Sequence, residues 1–236
     1  MNFRDRITLW RLQRRLRKLQ NAYYDAEDKD ESVINEYFRT LESARTHYLA
    51  SRHAPQHRTR LHLGSGDHHI ANWINVDFSP MMNVEVAADL TREMPFRSGS
   101  IDLIHSEDFI EHVDETAGKL VLRECRRILR SGGVMRLLTP DLLSLIEEVY
   151  VRRDPCHLRW CGAYLDSGDP CAALNMHMRM HGEHRFIYDD EHLTTLLRET
   201  GFHVRRVRYN ASPVPELRFL DLRDFGLNLF LEAVKP

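Results

Sequence analysis

The chain has 236 residues, enough for one α/β domain with an appendage and short for two full domains. Hydrophobic residues make up 42% and charged residues 29%, proportions that allow a buried core, and a formal net charge of -2 gives no general attraction to nucleic acid or anionic membrane. No run approaches the roughly 20 apolar residues of a membrane span, arginines interrupt the N-terminus where a secretory signal would be apolar, and the four cysteines fit no disulfide scaffold, so a reducing cytoplasm is the expected location.

In chain order, apolar residues first recur at Leu9, Leu12, Leu16, Leu19 and Tyr23, a heptad-like stripe with arginines on the other faces. Residues 1–20 hold seven cations against the single anion Asp5. After the acidic break Asp25 to Ser32, a second stripe follows at Ile34, Phe38, Leu41 and Tyr48, ending before Pro55. These stripes predict an N-terminal helical hairpin over 1–55, packed on the main domain or on a copy of itself as a homodimer. The basic first helix offers a second use, in peripheral contact with a membrane surface, RNA or a partner protein.

A second region, 56–236, has a different rhythm. Strands are predicted at Leu61–Leu63, Trp73–Asp77, Val84–Ala88 and Ile101–His105, then a helix over Glu115–Leu129 broken by Ser131-Gly132-Gly133. A fifth strand at Val134–Leu138 and a helix from Asp141 follow. Periodicity fails between Arg152 and Tyr188, read as a lid or substrate insert over about 153–187. A helix over Asp189–Thr200 with Gly201 at its end, then strands at His203–Tyr209 and Leu227–Val234, complete the pattern. Strands alternating with helices predict a mostly parallel seven-stranded sheet covered on both faces.

A strand ending in Gly64-Ser65-Gly66 lets bare backbone approach a ligand at the carboxyl edge of such a sheet. Asp77, at the end of the next strand, can accept both hydrogens of a ribose diol. The chain has neither a Gly-Lys-Ser/Thr phosphate loop nor the third glycine of a dinucleotide fingerprint, so an adenosine without a pyrophosphate is the expected ligand.

The same residues carry a family resemblance. Leu61 to Gly66 resembles motif I of the class I S-adenosyl-L-methionine (SAM)-dependent methyltransferases, a Rossmann-like α/β fold. Asp89-Leu90, Met94-Pro95-Phe96 and Gly99-Ser100-Ile101-Asp102 are similar to the "D-L … P-F … S-F-D" run of the type 11 group. Glu111-His112-Val113 resembles its "E-H-V", and Arg126 to Gly133 its "R-V-L-K-P-G-G". The resemblance covers Leu61 to Asp141, about a third of the chain. It implies that Gly64, Ser65 and Gly66 border the methionine and ribose parts of SAM, that Asp77 with Phe78 holds the ribose end, and that Asp89 and Leu90 meet adenine. Ser106 and Glu107 would line the site near the sulfonium, and S-adenosyl-L-homocysteine would be the product. One departure is the short connection between Gly66 and Ile74, with room for barely one helical turn. A subgroup with a "G-W-x-N-V-D" motif resembles this, matched by Asn72 to Asp77.

Methyl transfer from a sulfonium is an in-line displacement, so alignment supplies much of the catalysis, and an oxygen or ammonium nucleophile must also lose a proton. His112 is the favoured base, with His181, His184 and Tyr188 as further candidates, and His112 as a helix cap is the plain structural reading. The insert Asn175 to Phe186 reads as an adaptable Met-rich loop. Cys156, Cys161 and Cys171 with His157, His177, His181 and His184 do not match a zinc knuckle, and no metal ligand is assigned. Asp108 to His112 gives D-x-x-E-H, a variant of the E-x-x-E-H that binds magnesium in some ubiquinone-pathway and RNA-end methyltransferases. The expected acceptor is a small molecule or saccharide, methylated at oxygen or nitrogen. Nucleic acid is disfavoured by the missing amino-methylation and Pro-Cys motifs. RNA or protein methylation, and a non-catalytic SAM-binding scaffold acting through the hairpin, stand as alternatives.

Overall fold

The computed structural model describes residues 58–79, 84–161, 168–223 and 226–236, with ten further positions between 7 and 40. The chain divides into two compact units, one of Met1–Gln56 with Arg208–Arg223 and one of His57–Val207 with Asp224–Pro236. In the first unit, most of the predicted hairpin lies outside the described residues. Ile7, Thr8, Arg11, Leu12, Arg14, Arg15 and Lys18 are helical, as are Glu36, Arg39 and Thr40. Arg15 Nε donates to Glu36 Oε1 at 3.1 Å across the two stretches. Elsewhere in this unit Asn210 and Asp221 bond reciprocally, Asn210 N to Asp221 Oδ2 at 2.6 Å and Asp221 N to Asn210 Oδ1 at 3.0 Å.

The second unit is built on a seven-stranded sheet. Its strands are β1 (Arg60–Leu63), β2 (Ile74–Asp77), β3 (Val86–Ala87), β4 (Ile101–Glu107), β5 (Leu129–Pro140), β6 (His203–Arg206) and β7 (Asn228–Val234). Their order is β3-β2-β1-β4-β5-β7-β6, with β7 antiparallel to both neighbours and the rest parallel. The first helix, α1 (Glu115–Ile128), starts where the Asp114 side chain accepts from Ala117 N, and it buries Val121, Leu122, Cys125 and Ile128 at helical spacing. An α-helical turn, α2 (Leu142–Leu145), runs on into a π-helical turn over Ile146–Val151. Then come α3 (Pro155–Cys161), α4 (Pro170–Arg179) and α5 (Asp190–Glu199).

Three readings need correction. The fifth strand begins at Leu129 rather than Val134: Leu129 pairs with Ile101 and Val134 with Leu103, and the irregular stretch between them includes Gly132 at φ +74°. The third strand shrinks to Val86–Ala87. Among the described residues the aperiodic insert contains the helices α3 and α4, and the first part of the expected Met-rich loop is α4. Its start signal was present in the sequence: Asp169 accepts from Cys171 N, and Pro170 occupies the first turn, where its missing N–H costs nothing.

The short connection after β1 is held by side chains instead of a helix. Trp73 is buried, and Asn75, 1% exposed, accepts from Ile70 N at 2.9 Å while its Nδ2 donates to Glu85 Oε2 at 2.9 Å. Glu85 Oε2 also accepts from Asn75 N at 2.8 Å, and these bonds to Asn75 hold its carboxyl below the usual carboxylate range. Asn72 takes the left-handed conformation at the turn, φ 64°. The Asn-Trp-x-Asn-Val-Asp run is thus a compact substitute for the usual crossover helix.

The other motif residues mostly tie segments together. Arg127 donates to Phe96 O at 2.9 Å, Met94 O at 3.0 Å and Glu124 Oε2 at 2.7 Å, clamping the Met94-Pro95-Phe96 loop to α1. Arg130 pairs with Asp102, whose other oxygen accepts from Thr59 N at 2.8 Å.

Tyr188 is fully buried against α1, and its hydroxyl has no hydrogen-bond partner. A Cβ added at Gly118 would meet that hydroxyl at 2.5 Å and the ring carbon Cζ at 3.8 Å. Gly118→Ala is therefore expected to destabilise the protein by about 1–3 kcal/mol. In a Tyr188→Phe background the clash is gone, and the same change should stabilise by up to about 1 kcal/mol through helix propensity. Urea unfolding of the four members of this cycle checks the change of sign, and additive effects would contradict it.

Candidate functional site

Parallel register brings the motif residues to one edge of the sheet. Leu63 pairs with Val76 on one side and Ser106 on the other, so the turn after β1, the end of β2 and the end of β4 lie side by side. Gly64 and Gly66 have φ of +66° and +52°, a region that glycine enters without penalty. Gly64 N and Ser65 N donate to Val76 O, at 2.9 and 3.2 Å. Gly66 N donates to Asp77 Oδ2 at 2.9 Å, and Ser79 N to Asp77 Oδ1 at 3.1 Å. Each Asp77 oxygen thus accepts one backbone N–H and keeps a lone pair, the number a ribose diol needs.

Several observations test whether the cofactor fits. A Cβ at Gly66 would meet nothing within 4 Å, so the loop borders open space, whereas one at Gly64 would meet Phe109 at 2.5 Å. Phe78, the residue after the ribose acid, is 74% exposed, an apolar surface that lacks cover. Ser106 Oγ is buried and without a partner at the end of β4. Leu90 is buried, and Asp89 is bound into its own turn: Thr91 N and Oγ1 donate to its Oδ1 at 3.0 and 2.6 Å, and Arg92 Nε to Oδ2 at 3.0 Å. The two bonds from Thr91 lower its pKa. Glu107 is buried and 3.6 Å from His105 Nε2, on the alternation of β4 opposite to Ser106. The glycine turn, Asp77, Phe78 and Ser106 therefore suit an adenosine-bearing ligand directly. Asp89 and Glu107 are placed mainly by structural bonds.

Beyond β4 the chain makes a 3₁₀ turn over Ile110–His112. Arg185 N and Phe186 N donate to Glu111 O at 2.7 and 3.2 Å, so the insert is pinned to this turn. One oxygen or nitrogen of each of Glu111, His112 and His184 lies within 4.8 Å of those of the other two. Glu111 is buried, and its Oε2 accepts from Thr139 Oγ1 at 3.0 Å. The His112 and His184 rings meet edge to face at 4.9 Å. His184 Nδ1 is 2.7 Å from His177 O, so that nitrogen carries the proton it donates and Nε2 keeps the lone pair. His112 does not cap α1, a role that Asp114 fills, and His181 is exposed on the short turn Met180–Gly182. The structure thus brings two of the three predicted histidines together with Glu111, the acid of the D-x-x-E-H spacing, and sets His177 beside His184. Among the described residues no cysteine joins a cluster of metal-ligating groups. Burial pushes the thiols of Cys125 and Cys161 up to about 12, far from thiolate chemistry at neutral pH.

Burial, then His184, push the His177 imidazole down to about 3. The His184 imidazole is lowered by burial and by His112, against opposing contributions from the His177 carbonyl and Asp108. An unfolded imidazole titrates near pH 6.5, so below that pH the unfolded chain binds a proton that native His177 refuses. Stability is therefore expected to fall as pH drops from about 6.5 toward 3. His177→Phe, which keeps the ring packed on Trp160 at 4.9 Å, should flatten this fall in urea unfolding between pH 7 and 5. An unchanged slope would contradict the assignment.

The sheet order with antiparallel β7, the glycine turn after β1 and the carboxylate ending β2 together define a class I methyltransferase fold. Residues 60–137 match a family model described as a methyltransferase domain. That match covers about a third of the chain and contains the glycine turn, Asp77 and the Glu111-His112-Val113 run, so over these residues the chain is similar to methyltransferase domains. A SAM-dependent methyltransferase from Archaeoglobus fulgidus is similar at 14% identity and TM-score 0.50, over 83% of this chain and 94% of that one. An S-adenosylmethionine-dependent methyltransferase from Mesorhizobium loti is similar at 14% identity and TM-score 0.49, over 83% of this chain and all of that one (100%). No curated protein matches the chain. No helix among the described residues is long and apolar enough to cross a membrane.

Proposed function

We propose that this chain methylates an oxygen or nitrogen atom of a small molecule or saccharide, in a domain spanning 56–236. The observation that carries the reading is the Glu111–His112–His184 cluster, in which Glu111 and His112 stand on the turn after β4, next to Phe109, which lies against Gly64. Bound SAM supplies an electrophilic methyl group on a sulfonium sulfur. Gly64, Ser65 and Gly66 would lie along the ligand, Asp77 would accept from its ribose hydroxyls, and Phe78 would cover its apolar face. The cluster would bind the acceptor and help remove its proton, with the insert from Asp169 to Tyr188 folded over it. An acceptor hydroxyl needs such help near neutral pH, whereas a soft carbon or sulfur nucleophile needs less. The N-terminal region over 1–55 would serve assembly through its helices.

The test incubates the full chain with methyl-labelled SAM and separate pools of phenols, sugars, amines, RNA and protein. Label is expected in a small-molecule or sugar pool, and His112→Ala should lower kcat at least about 100-fold. Label confined to RNA or protein would overturn the acceptor class.

A further inference from the structure

We propose that Glu111, His112 and His184 form a binding site for a divalent transition-metal ion. The inference concerns the cluster assigned above to the acceptor, but its binding does not depend on that assignment. It gives the imidazoles the task of holding an ion instead of taking the proton themselves.

The geometry supports a ligand set more than a base. Ligands at about 2.0–2.2 Å from a shared ion lie roughly 3–3.5 Å apart. The three atoms here lie within 4.8 Å of one another. Two of the three ligands are oriented by a neighbouring group. Glu111, at 0% exposure, receives the Thr139 hydroxyl on Oε2 from the end of β5. His184 gives its Nδ1 proton to the His177 carbonyl at 2.7 Å, which presents Nε2 as the ligand atom. His177 itself is held in the interior by Trp160 and its place on α4. The Glu111 carbonyl accepts from Arg185 N and Phe186 N, fixing the chain directly after His184 against the residue that supplies the carboxylate.

The donor set selects the ion. Two imidazoles and one carboxylate suit zinc, manganese, cobalt or iron(II), whereas magnesium prefers an all-oxygen shell. Three protein ligands also leave coordination positions open, as catalytic ions require. An ion there would polarise an acceptor hydroxyl and lower its pKa, the help that the proposed reaction needs.

The test titrates Mn²⁺ into the full chain, without a polyhistidine tag, SAM or acceptor, and follows the free-ion signal by electron paramagnetic resonance. One bound ion per chain is expected, displaced by one equivalent of Zn²⁺ but not by a tenfold excess of Mg²⁺. His184→Ala and His112→Gln should each weaken binding at least about 30-fold, while His203→Ala on β6 should leave it unchanged. Circular dichroism melting identifies a variant that fails to fold, and the second histidine variant then decides. No binding by the wild type, or binding retained in both folded variants, would overturn the site. Equal displacement by Mg²⁺ would overturn the transition-metal assignment. These outcomes leave methyl transfer itself to be judged separately, by the labelling test.

Discussion

Glu232→Leu is expected to destabilise the protein by about 3–5 kcal/mol. Glu232 and Arg136 face each other from β7 and β5, at 0% side-chain exposure each, with Arg136 NH1 donating to Glu232 Oε1 at 3.2 Å. Glu232 Oε2 receives a second guanidinium, with Arg205 Nε donating at 2.8 Å from β6. The carboxylate therefore neutralises two cations at the centre of the antiparallel edge of the sheet. Removing it leaves Arg136 as a buried charge with too little compensation, and the cost of desolvating that charge is what the variant measures. The double variant Arg136→Met/Glu232→Leu should recover most of the loss, because well-packed apolar residues can replace a buried pair. Urea unfolding at pH 7 gives both numbers, and a single variant within about 1 kcal/mol of wild type would contradict the account.

Gly64 and Gly66 are expected to fail in different ways when substituted. Gly64→Val places a β-branched side chain at φ +66° with its Cβ 2.5 Å from the Phe109 side chain, where both strain and overlap act. Its expected cost is about 3 kcal/mol or more of stability. Gly66→Ala meets only open space, so the fold should lose about 1–2 kcal/mol, for the left-handed backbone alone. Its effect should fall on SAM affinity, since the added methyl occupies the space the ligand needs. Thermal melting with and without SAM separates the two. Equal stability losses with unchanged affinity at Gly66 would contradict the placement of the ligand along the loop.

Much of this was legible in the sequence, and the reasons are specific. Strand ends marked by Gly64-Ser65-Gly66 and Asp77 have few alternative readings once the parallel sheet is recognised, and the register of β1 with β2 and β4 puts them at one edge. Asp141 marked a helix start, and its side chain caps there by accepting from Leu143 N. The two helices of the insert were hidden because α3 and α4 are short and carry His, Cys and Met without a clean apolar stripe. The joining of His184 to Glu111 and His112 depends on backbone bonds from Arg185 and Phe186, a contact between residues more than 70 apart. No spacing rule reports such a contact. The functional weight of Asp89 was also hard to read, because a carboxylate in a turn can bind a ligand or cap its own loop, and here it caps.

The central claim is the nucleoside site at Gly64–Gly66 and Asp77. Calorimetric titration of the full chain with SAM and with S-adenosylhomocysteine, beside Asp77→Ala, tests it most directly. Two charge-assisted hydrogen bonds to a ribose diol are worth about 3 kcal/mol or more together, so the account predicts micromolar binding of both ligands by the wild type and a loss of about 100-fold in the variant. A folded wild type that binds neither ligand, or an Asp77→Ala variant that binds as tightly as wild type, would contradict it.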